Sequence, residues 1–251
     1  MARFRDLAAV AGAVFGVLAA AAPTPVHAQN LLFNGSFEAV GTGHGQALLA
    51  NGWTQAGNIY PGADTYSMDG DFGLTPTDWW WWNIGPSANA ARDGRRFAAA
   101  GDWNTLGVNE AFGQQLAVPL QAGQAYALSG SVRAATGYSE MGYRAAAGRF
   151  DIYLSSAASF DAPDAQLVAS LDAPSTEWTA QTTSFLAPSA ATSLSWLVFV
   201  PRAPLGGFSY LALDNVELLP TVVTPEPGTW ALLATGLFAL LTITRRRRST
   251  R

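Results

Sequence analysis

The middle of the chain alternates apolar and polar residues with a period of two, and this pattern constrains the fold more than any other feature. Apolar side chains take every second position in residues 126–132, 150–154 and 194–200. Successive side chains of a β-strand point to opposite faces, so each run predicts a strand. Glycine, proline and serine clusters separate the runs, and no long stretch has helical spacing. The pattern predicts an all-β fold, either a sandwich or a barrel.

The last apolar run changes phase part-way along. Leu211 and Leu213 share one phase, whereas Val216 and Leu218 share the other. A β-bulge is the usual way for a strand to change phase without ending. We therefore predict a bulge at Asp214–Asn215.

The first 28 residues have the three parts of a secretory signal peptide. Arg3 and Arg5 give a charged start, and residues 7–22 are an uninterrupted run of apolar residues and glycine. Val26-His27-Ala28 places small residues where a signal peptidase reads, which predicts export and cleavage after Ala28. A permanent N-terminal anchor is the alternative, but the run is shorter than the ~20 residues of a membrane span.

The end of the chain predicts a short transmembrane helix at residues 229–244. This uncharged stretch is marginal for the ~30 Å hydrocarbon core of a bilayer. Four arginines follow it: Arg245, Arg246, Arg247 and Arg248. Arginines beside an apolar span stay on the cytoplasmic side, so the preceding domain lies outside the inner membrane. Pro225, Glu226 and Pro227 precede the predicted helix. The two prolines predict a rigid, non-helical segment there that a protease could bind.

The Pro-Glu-Pro, the "LLATGL" of residues 232–237 and the arginine cluster together resemble the PEP-CTERM sorting signal of exopolysaccharide-producing Gram-negative bacteria. The resemblance covers residues 223–251 only. It implies a temporary inner-membrane anchor that an exosortase-type membrane protease recognises at the Pro-Glu-Pro. A permanent anchor is the alternative, which the shortness of the apolar span disfavours.

Residues 29–222 remain to fold as one domain of ordinary size. They contain no cysteine, so neither disulfides nor thiol chemistry is available. Residues 29–224 hold seven arginines, no lysine and sixteen acidic residues, which gives a net charge of −9. An acidic domain repels phosphate backbones, so we predict that nucleic acid is not a partner.

Motifs at the two ends of this domain indicate a particular kind of sandwich. "NLLFNGSFE" at residues 30–38 and "ALDNVEL" at 212–218, with residues 112–134 between them, resemble galactose-binding-like jelly rolls, which include many carbohydrate-binding modules. The resemblance implies a jelly-roll β-sandwich whose first and last strands lie side by side. It also implies a structural calcium ion held there by Glu38 and Asp214, in keeping with the oxygen ligands that Ca²⁺ prefers. The alternative is that Glu38 caps a turn and Asp214 hydrogen-bonds its own bulge.

The long irregular stretch of residues 40–96 and the segment after it hold the predicted ligand site. The predicted ligand-binding residues are Trp79, Trp80, Trp81, Trp82, Trp103, Asp102 and Asn104. In a strand, two of four adjacent tryptophans point to each side, so one pair could stay exposed and stack on a sugar ring. The alternative is that the tryptophans close the open end of the sandwich or pack against another copy.

Two charged motifs allow more than one interpretation. "DGDFG" at residues 69–73 has half the acidic positions of a calcium loop; we predict a tight turn there, and a second ion site is the alternative. "RDGRR" at residues 92–96 either contacts an acidic polysaccharide or offsets the local aspartates.

The residues needed for common enzyme chemistry are scarce. The chain has two histidines, His27 in the predicted signal peptide and His44, so a His-rich zinc site is unavailable and a Ser-His-Asp triad would depend on His44 alone. We predict a non-enzymatic exported surface protein that binds carbohydrate or the exopolysaccharide matrix. A purely structural surface or matrix protein is the alternative, followed by a glycoside hydrolase built on a carboxylate pair.

Overall fold

The computed structural model describes residues 29–44, 46–58, 62–74, 91–103, 106–135, 147–205 and 207–221. Several predicted features lie outside these residues: the signal peptide with Ala28, the run Trp79–Trp82, Asn104, and the tail from residue 222 onward. The predicted domain boundaries and membrane helix therefore stay predictions. Within the described ranges, no helix is both long enough and apolar enough to cross a bilayer.

Thirteen strands and one 3₁₀ helix at Ala191–Ser193 form the regular structure of the described residues. The strands are β1 (Gly43–His44), β2 (Trp53–Gln55), β3 (Asp64–Ser67), β4 (Phe72–Gly73), β5 (Arg96–Trp103), β6 (Val108–Asn109), β7 (Phe112–Gln115), β8 (Ala125–Ala134), β9 (Gly148–Ser155), β10 (Gln166–Ala173), β11 (Thr179–Leu186), β12 (Trp196–Arg202) and β13 (Phe208–Pro220).

Eleven of the strands form two antiparallel sheets that pack face to face, and β1 and β4 form a separate parallel pair. The five-stranded sheet has the order β10-β9-β12-β7-β2. The six-stranded sheet has the order β11-β8-β13-β5-β3, with β6 paired to β5. From β7 to β13 the chain passes repeatedly between the sheets, so most neighbours within a sheet are distant in sequence. The predicted all-β jelly-roll sandwich is confirmed.

The core lies between the sheets and takes alternate residues from each strand. Leu197 and Phe199 of β12 belong to this core, whereas Val198 and Val200 are buried on the opposite face of the strand. β12 is therefore apolar on both faces, as expected for a strand in the middle of its sheet. On the core side of the five-stranded sheet, Phe112 of β7 stacks on the directly opposite Phe199 of β12, with 5.7 Å between ring centroids.

β13 contains the predicted bulge. Asp214 is opposite Ser131 and Glu217 is opposite Ser129, so β13 has one extra residue between these pairs. Asn215 has a φ of 52°, a left-handed conformation that asparagine adopts more readily than most residues. The extra residue lets the apolar side chains on both sides of the bulge reach the same core.

The opening segment runs antiparallel to β13, as the galactose-binding-like resemblance implies. The Leu31 N–H donates to the Leu218 carbonyl at 2.9 Å, and the Val216 N–H donates to the Gly35 carbonyl at 2.8 Å. The Asn30 side chain also accepts from the Leu218 N–H at 2.9 Å. We call this contact between residues 30–38 and β13 the terminal seam.

The opening segment differs from the expected regular first strand. Residues 31–37 form bends and turns, because Asn34 and Phe37 have φ values of 53° and 60°. These left-handed residues turn the chain, so the segment makes isolated hydrogen bonds to β13 instead of a continuous ladder.

Candidate functional site

Glu38 and Asp214, the two predicted calcium ligands, meet at one loop. Glu38 Oε1 accepts the backbone N–H groups of residues 95 and 96, at 2.7 and 2.8 Å. Asp214 Oδ2 accepts those of residues 92 and 93, at 2.9 and 3.2 Å. The terminal seam therefore brings one carboxylate from each end of the domain to the loop of residues 92–96.

The arginines of this loop pair with nearby acidic residues. Arg96 contacts Glu38 at 3.2 Å and Asp71 at 2.5 Å, and Arg95 pairs with Asp69. Hydrogen bonds from Ser67 and Arg96 hold the pKa of the Asp71 carboxyl below its ordinary value. The arginines of residues 92–96 thus form ion pairs with the aspartates of residues 69–73, and the basic cluster offsets the local aspartates.

The hydrogen bonds at Glu38 and Asp214 do not fit a bound calcium ion as they stand. All four carboxylate oxygens already accept hydrogen bonds, since Glu38 Oε2 bonds Arg96 Nη1 and Asp214 Oδ1 bonds the Asn215 N–H at 2.7 Å. Ca²⁺ takes about six to eight oxygen ligands. In the described part of the chain, no group of three histidine or acidic residues is placed to hold a metal. The structure shows both residues in the alternative, hydrogen-bonding roles, and calcium here stays a prediction.

Asp102 and Trp103, predicted to share a ligand site, lie on opposite faces of β5. Asp102 Oδ2 accepts the Ala203 N–H at 2.6 Å, and burial raises the pKa of this carboxyl. Trp103 instead lies on the outer face of the six-stranded sheet, where its ring is 4.9 Å from that of Phe208. Both residues are buried. The structure does not bring them together, and the other five predicted ligand residues lie outside the described residues.

A buried aromatic cluster covers the outer face of the six-stranded sheet. Its largest members are Tyr66, Phe97, Trp103, Phe208 and Tyr210. Tyr66 stacks on Phe97 with 5.1 Å between ring centroids.

Two buried carboxyl groups, Asp64 and Glu110, lie beside this cluster. Asp64 Oδ1 accepts the Ala47 N–H at 2.5 Å, and Glu110 Oε2 accepts the Gly101 N–H at 2.7 Å. Burial raises the pKa of Asp64 to about 7 and that of Glu110 well above its ordinary value. A glycosidase needs one carboxyl that stays charged and one that carries a proton, whereas burial favours the neutral form of both groups here.

The outer face of the five-stranded sheet carries half-buried aromatic side chains. They are Tyr153 of β9, Trp196 of β12 and Phe160 of the loop after β9. Tyr153 is opposite Val198 in the sheet, and Trp196 is opposite the exposed Gln115. We call Tyr153, Phe160 and Trp196 the aromatic face.

Polar groups hold the aromatic face in place. The guanidinium carbon of Arg202 is 5.3 Å from the centroid of Phe160, and its Nη2 donates to Tyr153 Oη at 3.2 Å. Asp151, which is buried, accepts Arg149 Nε at 2.8 Å and Ser170 Oγ at 2.8 Å. Arg202 completes this ion network at 3.4 Å from Asp151. The rings and their polar neighbours therefore keep one arrangement.

None of the three residues of the aromatic face is among those predicted from the sequence to bind a ligand. The signal was present, because Tyr153 lies in the polar phase of β9 and Trp196 is an aromatic residue in the outward phase of β12. The four adjacent tryptophans gave a stronger signal elsewhere. Phe160 has no periodic signal, since it belongs to a loop that folds back over the sheet.

Residues 223–248 match the family model described as the PEP-CTERM protein-sorting motif. The tail carries this sorting motif. The match confirms the resemblance of the Pro-Glu-Pro, the apolar stretch and the arginines to that signal, and it indicates an exported protein sorted to the cell envelope. No curated protein matches the chain.

The chain is similar in structure to several sugar-binding modules and to a cyclase. TmCBM61 in complex with beta-1,4-galactotriose has 12% identity and a TM-score of 0.41, with 77% of this chain and 99% of that chain covered. A family 16 carbohydrate-binding module has 19% identity and a TM-score of 0.35, covering 61% and 92%. A Stig cyclase from Fischerella sp. TAU has 17% identity and a TM-score of 0.42, covering 79% and 100%.

Proposed function

We propose that this protein is an exported component of the cell envelope whose sandwich binds carbohydrate through the aromatic face. The observation that carries the proposal is the set of three half-buried rings on one sheet face beside fixed polar groups. Flat rings offer an apolar surface to the C–H face of a sugar, while arginine, glutamine and serine side chains bind its hydroxyls. The protein binds glycan in this proposal and does not hydrolyse it.

The arrangement of the rings favours an extended glycan. Tyr153 and Trp196 lie on neighbouring strands of one sheet, so several sugar units of a chain can contact them at once. The polysaccharide matrix outside the cell is a ligand of this kind. Half-buried apolar groups of this size on a surface also mark an interaction site in general.

The sorting motif supports the location. In this proposal the predicted signal peptide exports the chain, the predicted helix at residues 229–244 anchors it transiently in the inner membrane of a Gram-negative bacterium, and an exosortase-type protease recognises the Pro-Glu-Pro. The domain then remains at the cell surface or joins the exopolysaccharide. The apolar ends of the sequence and the motif match at residues 223–248 support this order.

A glycan array with the full-length protein, in a detergent without a sugar headgroup, tests the binding. We expect Trp196→Ala and Tyr153→Ala each to weaken binding by about tenfold or more, which is roughly 1.4 kcal/mol. Leu205→Ala is the control, because Leu205 is 98% exposed and lies outside the aromatic face. The proposal is wrong if no glycan binds or if both variants bind like the wild type.

The same variants test the structural alternative. An apolar face can also pack against a second copy of the chain, and sedimentation velocity would then show association that depends on concentration. Loss of that association in Trp196→Ala, with no glycan bound by the wild type, would favour a purely structural matrix protein.

A further inference from the structure

Two arginines lie directly opposite each other on the outer face of the five-stranded sheet. Arg149 of β9 is paired with Arg202 of β12 in the sheet register. Directly opposite side chains of an antiparallel pair share a face, and their Cβ atoms are about 5 Å apart. Like charges in such a pair destabilise the sheet, so these arginines need negative charge beside them.

A single buried carboxylate holds both arginines. Asp151 lies 2.8 Å from Arg149 Nε and 3.4 Å from Arg202 Nε. Ser170 Oγ donates to the same carboxylate at 2.8 Å, and Asp151 itself is buried. The carboxylate therefore fixes the position of both guanidinium groups. One negative charge offsets one of the two positive charges, so this group of three residues keeps a net charge of one positive unit.

Arg149 has N–H groups that remain available to a ligand. Its hydrogen bond to the described residues runs from Nε to Asp151, and neither Nη group has an acceptor among those residues. The Arg149 side chain is 53% exposed, so a ligand contacts it directly from solvent. Arg202 is less available, because its Nη2 donates to Tyr153 Oη and its guanidinium lies over the Phe160 ring.

A second acidic residue lies near Arg149 without pairing with it. Asp172 of β10 is opposite Arg149 in the sheet register and is exposed. Among the described ion pairs, Arg149 is joined to Asp151 and to no other acid. Asp172 therefore repels an approaching anion but leaves the Nη groups of Arg149 unoccupied. Removal of its charge should raise the affinity for an anion.

We propose that Arg149 binds the carboxylate of a uronic acid unit, so that the glycan bound by the aromatic face is an acidic polysaccharide. This inference rests on the proposed function, because it names the ligand class of the same sheet face. A guanidinium presents two parallel N–H donors that match the two oxygens of a carboxylate. Because Asp151 holds Nε, the two Nη groups of Arg149 are the donors for the ligand.

The spacing along β9 fits an oligosaccharide better than a single sugar. Arg149 and Tyr153 share one face of β9, because they are separated by an even number of positions. Trp196 is opposite Ser155, which is roughly 20 Å along the strand from Arg149 at ~3.3 Å per residue. A chain of several sugar units covers this length, with its rings on Tyr153 and Trp196 and an acidic group on Arg149.

Calorimetry with the full-length protein, in a detergent without a sugar headgroup, tests the ligand class. A salt concentration of about 0.15 M screens the net charge of −9 on residues 29–224. The probes are hexagalacturonate and its full methyl ester, which keeps the sugars and removes the charges. We expect the acid to bind at least about tenfold more tightly than the ester.

The outcomes distinguish this inference from the proposed function. Equal binding of acid and ester, or binding of neither, would overturn the inference. The glycan array tests the proposed function separately, because a neutral glycan that needs Trp196 and Tyr153 would leave that function standing.

Two variants change the charge around the ligand in opposite directions. Arg149→Met should reduce hexagalacturonate binding to the level of the ester, whereas Asp172→Asn should tighten it by about twofold or more, because it removes a repelling charge. Arg92→Met is the matched control, since it removes one positive charge from an exposed residue of another loop. Full binding in Arg149→Met, or an equal loss in Arg92→Met, contradicts the assignment.

Thermal unfolding distinguishes a lost ligand contact from a damaged fold. In Arg149→Met the Asp151 carboxylate keeps Arg202 and Ser170 as partners, so we expect the variant to fold. Hexagalacturonate should raise the Tm of the wild type and leave that of Arg149→Met unchanged. If Arg149→Met does not fold, Asp172→Asn decides the question, and binding no tighter than that of the wild type would overturn the inference.

Discussion

The buried ionisable residues of this protein differ in which neighbouring groups stabilise their charged or neutral form. Arg96 has two carboxylate partners, Arg133 has an aromatic ring, and Asp64 has hydrogen bonds but no cation. Each solution has a different consequence for pH and for ligands. A paired charge stabilises the fold, whereas a carboxyl without a cation stabilises it only while it keeps its proton.

Asp64 makes stability fall as the pH rises. Burial raises its pKa from 3.8 to about 7, and the titratable groups that face it are Glu110, Tyr66 and Tyr210. The folded chain therefore holds this proton up to a higher pH than the unfolded chain. The stabilisation is present below about pH 4 and is lost as the pH rises to about 7.

We expect the wild type to have a higher Tm at about pH 5 than at about pH 8, and Asp64→Asn to reduce this difference. Burial raises the pKa of Glu110, Asp102 and Asp214 in the same direction, so part of the difference remains in the variant. The exposed Asp172→Asn is the control and should keep the wild-type slope. A Tm that rises with pH in the wild type would contradict the prediction.

Gly101 is required because the Trp103 ring folds back over it. A Cβ at Gly101 would lie 2.7 and 2.8 Å from two Trp103 ring carbons and 3.0 Å from a Tyr210 ring carbon. We expect Gly101→Ala to lower the free energy of unfolding by about 1–3 kcal/mol in urea titrations. Gly41→Ala is the control, because its nearest contact is 3.8 Å. Equal stability of the two variants would show that the ring moves aside freely.

At the scale of elements, the terminal seam connects the opening segment, β13 and the loop of residues 92–96. Four loop N–H groups end on Glu38 and Asp214. A carboxylate that accepts several N–H groups holds a loop without a metal ion. The seam therefore stabilises the loop by hydrogen bonds that calcium would have to displace.

Adding a chelator distinguishes a loop held by hydrogen bonds from a loop held by a calcium ion. We expect the same Tm in calcium and in excess chelator, and a loss of about 1–3 kcal/mol in Asp214→Ala, because its N–H partners lose their acceptor. Asp172→Ala is the control for removing an exposed carboxylate. A fall in Tm on chelation that is absent from Glu38→Gln would instead establish the calcium site.

The elements were easier to predict from the sequence than their exposed faces. Alternation predicted the strands, and the change of phase between Leu213 and Val216 predicted the bulge, because both follow from local geometry. Whether a side chain is exposed depends on which other segments cover its sheet face. The alternation of apolar and polar residues shows which face a side chain is on, but not what covers that face. Trp103 is consequently buried, whereas Tyr153, on a face predicted to be polar, is part of the candidate site.

At the scale of the whole molecule, the folded domain and the sorting motif have separate roles. The described residues end at Thr221, and the motif begins at residue 223. Substitutions in the Pro-Glu-Pro should therefore change location without changing the fold. The aromatic face lies within the described sandwich, so the proposed glycan binding does not depend on the tail.

We expect Pro225→Ala combined with Pro227→Ala to retain the protein in the inner membrane of a host that has an exosortase-type protease. Proline fixes φ and disfavours helix in the residue before it, so the double variant loses the extended backbone that we predict the protease recognises. Cell fractionation and the mass of the recovered protein measure the effect, with Ser249→Ala as the control. Normal release of the double variant would contradict a role for the Pro-Glu-Pro in processing.

The position of β13 has a mechanical consequence. It is the middle strand of the six-stranded sheet, hydrogen-bonded to β8 on one side and β5 on the other, and it leads directly toward the tail. When the tail is anchored and flowing water drags on a bound polymer, the tension enters through this strand. Residues 211–213 have a ladder on each side, and residues 217–220, next to the tail, keep the ladder to β8, so many hydrogen bonds must break together when the strand slides. The tail thus follows an interior strand, whereas an edge strand would peel away one bond at a time.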